Sequence, residues 1–228
     1  MKLTLGTKSM LTTALSHQLS KREPRNYLGV SQLGIECDRQ LYYKYHKPDL
    51  DVIKEPRIQS IFAFGFLVEK YILGLLIESG LEVFDVDEEG KQFEVVYEDK
   101  IKGHIDAVIK GIPESTKPHL LEIKSMNDSN FKRLEKEGLE HGFHEYYIQM
   151  ICYIFLFKLE NGLFIAMNKN DCNIYTERIK SDNIVAESYL KRGLEIVNTK
   201  ELPDRKYKDK HFFKCRMCNF AEECWKES

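Results

Sequence analysis

The chain has 228 residues, 43% of them hydrophobic and 11% aromatic, with a formal charge of −2 at pH 7. Those values predict one domain with a real core, exclude a disordered chain, and leave any nucleic-acid contact to local basic patches. No apolar run is read as reaching membrane-spanning length and no signal-peptide core opens the chain, so a soluble cytoplasmic protein with no membrane partner is expected.

In chain order, residues 7–21 suit a short polar helix, followed by a loop around Pro24 and Gly29. A second helix follows Cys37, with Leu41, Tyr42 and Tyr45 at helical spacing until Pro48 ends it. After a loop over 47–56, residues 57–79 predict a long helix, apolar on most of its circumference and therefore largely buried. Glu69 interrupts it, and Gly65 lies one turn earlier on the same face, where a missing side chain lets another group approach. Residues 81–86 and 92–98 read as strands around the acidic turn DEEG, and two more strands follow at 101–110 and 119–125. Helices are predicted over 128–139, capped by Asp128 or Ser129, and over 144–159. Strands at 163–169 and 173–179 lead to a helix from Ser181 or Asp182 to about Val197, while 199–228 shows little regular pattern. Helices, several strands, a helix, two strands and a helix fit a mixed sheet flanked by helices, an α/β or α+β layer architecture.

Two strands carry acids where a buried strand would carry Val or Ile. Asp106 sits in the run GHIDAVI, and LLEIK places Glu122 and Lys124 two apart, hence on one face. Burying a charge costs several kcal/mol unless it is paired or binds metal. Converging carboxylates beside a lysine therefore suggest a hard-cation site, and an ordinary hairpin with an exposed Glu–Lys face is the alternative. Gln149 and Tyr153 share a face of the apolar helix 144–159, where each suits either a core position or a phosphate contact. Of six cysteines, Cys215, Cys218 and Cys224 cluster near the C-terminus and Cys37 lies far upstream, a pattern that points to metal or iron–sulfur ligation in a reducing compartment. Cys152 and Cys172 fall inside an apolar helix and beside a strand. The stretch RKYKDKHFFK, with Arg205, Lys206 and Lys208, is the most basic in the chain and interleaves aromatics; it suits a nucleic-acid backbone or a solvated linker.

Asp106, Glu122-Ile123-Lys124 and the QxxxY run from Gln149 to Tyr153 resemble motifs II, III and IV of the PD-(D/E)XK nucleases, in their RecB-like branch, and Glu69 after Gly65 resembles the first motif in its Glu form. The segment from Lys124 to Lys169 is similar to phage RecB-like exonucleases. One cysteine before the core and three after it resemble the iron–sulfur nucleases of that branch, such as the CRISPR-associated adaptation exonuclease.

The resemblance implies a single nuclease domain over 1–228, with a restriction-endonuclease-like core at about 57–198 and an iron–sulfur-clipped subregion formed by about 28–48 and 199–228. It implies a metal-dependent deoxyribonuclease, an exonuclease on single-stranded DNA ends serving recombination, repair, phage DNA processing or CRISPR adaptation, with other proteins of those processes as partners. A non-catalytic DNA-binding subunit of the same fold is the alternative. Asp106, Glu122 and the Ile123 carbonyl would hold Mg or Mn, with Glu69 adding a carboxylate. Lys124 would orient the attacking water or stabilise the transition state electrostatically, Gln149 would hold water or phosphate, and Tyr153 would position DNA. Cys37, Cys215, Cys218 and Cys224 would bind a [4Fe–4S] cluster or, with the same ligands, zinc. Lys169 would contact phosphate or stay solvated at its strand end, and His104, on the face of Asp106, would stand behind the metal ligands or make an ordinary polar contact, the simpler reading.

Overall fold

Two sheets share the core in the computed structural model, which describes residues 5–19, 25–51 and 57–226. Helix α1 (Leu5–Leu19), the two-residue strand β1 (Leu28–Gly29) and helix α2 (Asp38–His46) precede the long helix α3 (Arg57–Glu78). Strands β2 (Glu82–Phe84), β3 (Glu94–Tyr97), β4 (Ile101–His104), β5 (Ala107–Lys110) and β6 (His119–Met126) follow. Helices α4 (Asp128–Gly142) and α5 (His144–Leu156) lead to β7 (Asn161–Asn168), β8 (Ile174–Lys180) and α6 (Asn183–Asn198). Two short helices, α7 (Phe213–Arg216) and α8 (Ala221–Lys226), come last.

The larger sheet has the order β2-β5-β6-β7-β8, with β6 and β7 parallel and the other pairs antiparallel. The smaller one has the order β1-β4-β3. A parallel pair is normally covered on both faces and reads as a continuous apolar run, and all eight residues of β7 are indeed buried. Alternation divides the core. Leu121, Ile123, Leu163 and Ile165 meet Val68, Ile72 and Leu73 of α3 on one face, while Leu120, Phe164 and Ala166 meet α5 and α6 on the other. This is the expected α/β arrangement of a mixed sheet between helices.

Several elements differ from the sequence reading. The strand expected over 101–110 is two strands in two sheets, with the chain crossing over at Ile105 and Asp106. Its backbone groups are taken elsewhere: Ile105 donates its N–H to Phe93 O (3.2 Å) and accepts from Gln92 Nε2 (2.9 Å). Helix α4 is capped by Asn127, whose side chain accepts from the Asn130 N–H, and it kinks at Gly138 (φ 69°), a left-handed conformation that glycine adopts at no steric cost. The C-terminal stretch read as irregular holds α7 and α8.

Helix α3 is not largely buried. Its segment Ser60–Glu78 is long and apolar enough to cross a membrane by length and composition (mean hydropathy 1.8), contrary to the expectation that no run would be, and only 17% of it is buried. Its C-terminal half nonetheless packs on the sheet through Val68, Ile72 and Leu73.

The segment around α2 and the C-terminal segment meet. Arg39 donates to Pro203 O (2.6 Å), Tyr207 to Glu36 (3.0 Å) and Asn219 to Asp51 (2.8 Å), and the Tyr43 and Phe220 rings stack 5.5 Å apart.

Candidate functional site

The site begins where β5 leaves β6. The two strands pair at Ile109↔His119, Val108↔Leu120 and Ala107↔Leu121, so the next hydrogen-bonding partner of Ile123 would be Ile105. That residue has already turned into the smaller sheet. The Asp106 carboxylate replaces it, accepting the Ile123 N–H at Oδ2 (2.7 Å). A residue in a strand presents its N–H and C=O to the same edge, so the Ile123 carbonyl shares the edge that β5 vacates.

Glu122 and Lys124 point from β6 toward α5. Glu122 is 1% exposed, and its Oε1 accepts from Gln149 Nε2 (2.6 Å) and from the Lys124 ammonium. Its other oxygen, Oε2, is buried with no hydrogen-bond partner. An unsatisfied buried carboxylate oxygen costs its full desolvation, which is what a cation would repay. The Lys124 ammonium also lies over the Tyr146 ring, 5.4 Å from its centre. Tyr146 was not singled out in the sequence, although it stands one turn before Gln149, on the same face of α5.

Electrostatics say that the acids are crowded. Burial, and then the Glu122 charge, hold the Asp106 carboxyl well above the ordinary carboxylate range, with its bond from Ile123 opposing. Glu69 is raised in the same way, by burial first and Glu122 second. It comes from α3 on the opposite face of the sheet and stands within electrostatic reach of Glu122 and Lys124. Gly65, one turn before it, would bring a Cβ to 3.8 Å from Ser125 Oγ, so α3 crosses close to the end of β6 there. Burial alone would lower the Lys124 ammonium, but Glu122 and Asp106 overturn that and hold it charged. Mutual repulsion of three carboxyls and one orphaned oxygen fit a divalent cation.

The remaining expected residues are placed differently. Tyr153 is 3% exposed, with its hydroxyl bonded by the His104 backbone and packed where a Cβ on Gly103 would lie 2.4 Å away. It packs α5 against β4. His104 faces Glu94 (3.7 Å). Lys169, Lys206 and Lys208 are exposed. Arg205 is not free for a phosphate: it donates to Cys224 O from Nε (3.1 Å) and Nη2 (2.7 Å) and lies 4.6 Å over the Trp225 ring.

All six cysteines are free thiols. Cys37, Cys215, Cys218 and Cys224 line one cavity together with Tyr43, Phe220 and Trp225. Cys215 and Cys218 are raised by burial, and their neighbours Cys37 and Cys224 add to it. Cys152 is buried in α5 and pushed up to about 12 by burial, and Cys172 is exposed at a left-handed turn (φ 64°). No three His, Cys, Asp or Glu side chains among the described residues stand close enough to hold a metal ion as they are. Arg39, Gln40, Tyr207 and Lys214 line the same cavity beside the four thiols.

The sequence matches no protein-family model and no curated relative. The fold does have solved counterparts. One is a protein designated SSO0001, at 19% identity and TM-score 0.55, covering 97% of each chain. The alkaline exonuclease of Laribacter hongkongensis aligns at 13% identity and TM-score 0.51 over 80% of this chain and 90% of its own. Its complex with dAMP aligns at TM-score 0.51 and 13% identity over 75% of this chain and 86% of its own. The chain therefore has an alkaline-exonuclease-like fold.

Proposed function

We propose that this protein is a Mg- or Mn-dependent deoxyribonuclease that degrades single-stranded DNA from its ends, in recombination, repair, phage DNA processing or CRISPR adaptation. The observation that carries the reading is the Glu122 carboxylate, buried at 1% exposure with Oε2 unpartnered and with Asp106 and Lys124 beside it. A neighbour with this fold holds dAMP, a product of such an enzyme. Asp106, Glu122 and the Ile123 carbonyl are the cation's ligands, and Glu69 adds its carboxylate from α3. A bound cation supplies Lewis acidity toward a phosphate oxygen and lowers the pKa of water. The chain supplies the rest. Gln149 orients Glu122, Lys124 offsets negative charge developing on the phosphate, and Tyr153 holds α5 against β4. Lys169, Lys206 and Lys208 contact the DNA backbone.

The second part of the reading is the cysteine cavity. In the reducing cytoplasm Cys37, Cys215, Cys218 and Cys224 ligate a [4Fe–4S] cluster, or a zinc ion, that ties the segment at 28–48 to the segment at 199–228. The test of the nuclease is an end-labelled single strand incubated with Mn²⁺. Mononucleotide release that is lost in Asp106→Ala and Glu122→Ala supports it, and release that persists in either purified, folded variant overturns it.

A further inference from the structure

The edge of β6 that β5 vacates presents more than the Ile123 carbonyl. Residues two apart in a strand turn their backbone groups to one edge and their side chains to one face. Ser125 therefore stands on that edge about 7 Å beyond Ile123, and its N–H is the next group after the Ile123 carbonyl. The pairing of β5 with β6 ends at Ala107↔Leu121, and the Asp106 carboxylate takes the Ile123 N–H. Among the described residues no acceptor takes the Ser125 N–H and nothing bonds its hydroxyl, although the residue is half-buried. The hydroxyl lies on the α3 face of the sheet, with Leu121 and Ile123. Gly65 of α3 stands over it. Outside α3, the only atom of the described residues that a Cβ at 65 would meet within 4 Å is Ser125 Oγ, at 3.8 Å. The missing side chain leaves the space beside the hydroxyl open.

We propose that Ser125 binds the scissile phosphate of the DNA, its N–H and its hydroxyl donating to phosphate oxygens beside the carboxylate centre. The proposal rests on the nuclease reading and adds a residue that holds the substrate of that site. Asp106, Glu122 and Glu69 repel a phosphate, so its donors have to be groups that the carboxylates do not already occupy. Lys124, the preceding residue, points to the other face and is bonded to Glu122. The two donors of Ser125 are engaged by no carboxylate among the described residues. A donor pair without charge of its own also leaves the carboxylates to the cation. Hydrogen bonds to an ionised phosphate are roughly twice as strong as neutral ones. The N–H is fixed by its strand and needs no reorganisation to meet the phosphate.

The test is the rate of mononucleotide release from an end-labelled oligothymidylate with saturating Mn²⁺. Ser125→Ala keeps the N–H and loses the hydroxyl, and kcat/KM is expected to fall about tenfold. Tm, and the Mn²⁺ affinity read by titration calorimetry, should stay at wild-type values, since no described residue bonds the hydroxyl and it is not a cation ligand. Ser125→Thr restores the donor, has room for its methyl under Gly65, and should work within about threefold of wild type. Ser125→Ala at the wild-type rate, or Ser125→Thr as slow as Ser125→Ala, overturns the phosphate contact. So does a loss of Tm or of Mn²⁺ affinity in Ser125→Ala, which would make the hydroxyl a structural or cation-ordering group. Wild type that releases no nucleotide brings down the nuclease reading and this contact with it, whereas an unaltered Ser125→Ala removes the contact alone.

Discussion

Lys124 donates its ammonium to the same oxygen of Glu122, Oε1, that Gln149 bonds, leaving Oε2 alone in the interior. The lysine is thus a built-in counter-ion of the carboxylate that would ligate metal. Lysine and cation compete for one negative charge, and the sequence, which placed them only on one strand face, could not say so.

Lys124→Ala should therefore tighten divalent-cation binding while slowing turnover. Removing a partly buried positive charge in contact with the carboxylate is worth on the order of 1 kcal/mol, about fivefold in affinity. Titration calorimetry of Mn²⁺ into the DNA-free protein reads this directly. Turnover on an end-labelled strand should fall about a hundredfold. Weaker Mn²⁺ binding in the variant would show that Lys124 organises the carboxylates and does not compete for them.

Tyr146 holds the lysine from its other side, by its ring face and not by its hydroxyl. Tyr146→Phe should keep near-normal turnover, and Tyr146→Leu should lower kcat roughly three- to tenfold with KM little changed, as expected for about 1 kcal/mol of cation–π attraction. A purely structural role would instead show as parallel losses of thermal stability in both variants.

What was legible in the sequence had a physical signature there. Charges at Asp106 and Glu122 stood out because they interrupt apolar strands, and β7 because a strand covered on both faces shows an unbroken apolar run, here Leu163 to Met167. The break after His104 was hidden, since Ile105 continues the alternation. Only Phe93 and Gln92, a strand away, draw its backbone out of the larger sheet. Arg205 reads as free positive charge, yet its partner is a carbonyl 19 residues on. Helices α7 and α8, of four and six residues, are too short to show a periodic face.

The raised Asp106 carboxyl makes stability depend on pH. A carboxyl higher in the folded than in the unfolded chain favours folding fully below its unfolded pKa, and that benefit is lost as pH rises through the folded value. The metal-free protein should thus lose stability from about pH 4 upward. Asp106→Asn keeps an oxygen for the Ile123 N–H and should flatten the profile, raising Tm at pH 7.5 by at least about 3 °C. Saturating Mn²⁺ should stabilise the wild type and not the variant. Differential scanning calorimetry from pH 4 to 8, with EDTA and then with Mn²⁺, makes the comparison. A variant no more stable than wild type at pH 7.5 would mean that Lys124 already compensates the buried charge.

The cysteine cavity makes the sharpest stability prediction. Cys37 is about 180 residues from Cys215, and a link that closes so long a loop is worth roughly 4–5 kcal/mol on chain entropy alone. Each of Cys37→Ala, Cys215→Ala, Cys218→Ala and Cys224→Ala should lose bound metal and lower Tm by about 10 °C. Cys172→Ala, on an exposed turn, should change neither. Cys152→Ala should keep the metal and lose only the packing of a small buried thiol, about 1 kcal/mol. Elemental analysis of protein purified without oxygen decides between the chemistries. Four irons per chain support the cluster, and one zinc keeps the tie with a different metal. No metal in the wild type, with Tm unchanged in all four variants, would leave the two segments joined only by contacts such as Arg39 to Pro203 and Tyr43 to Phe220.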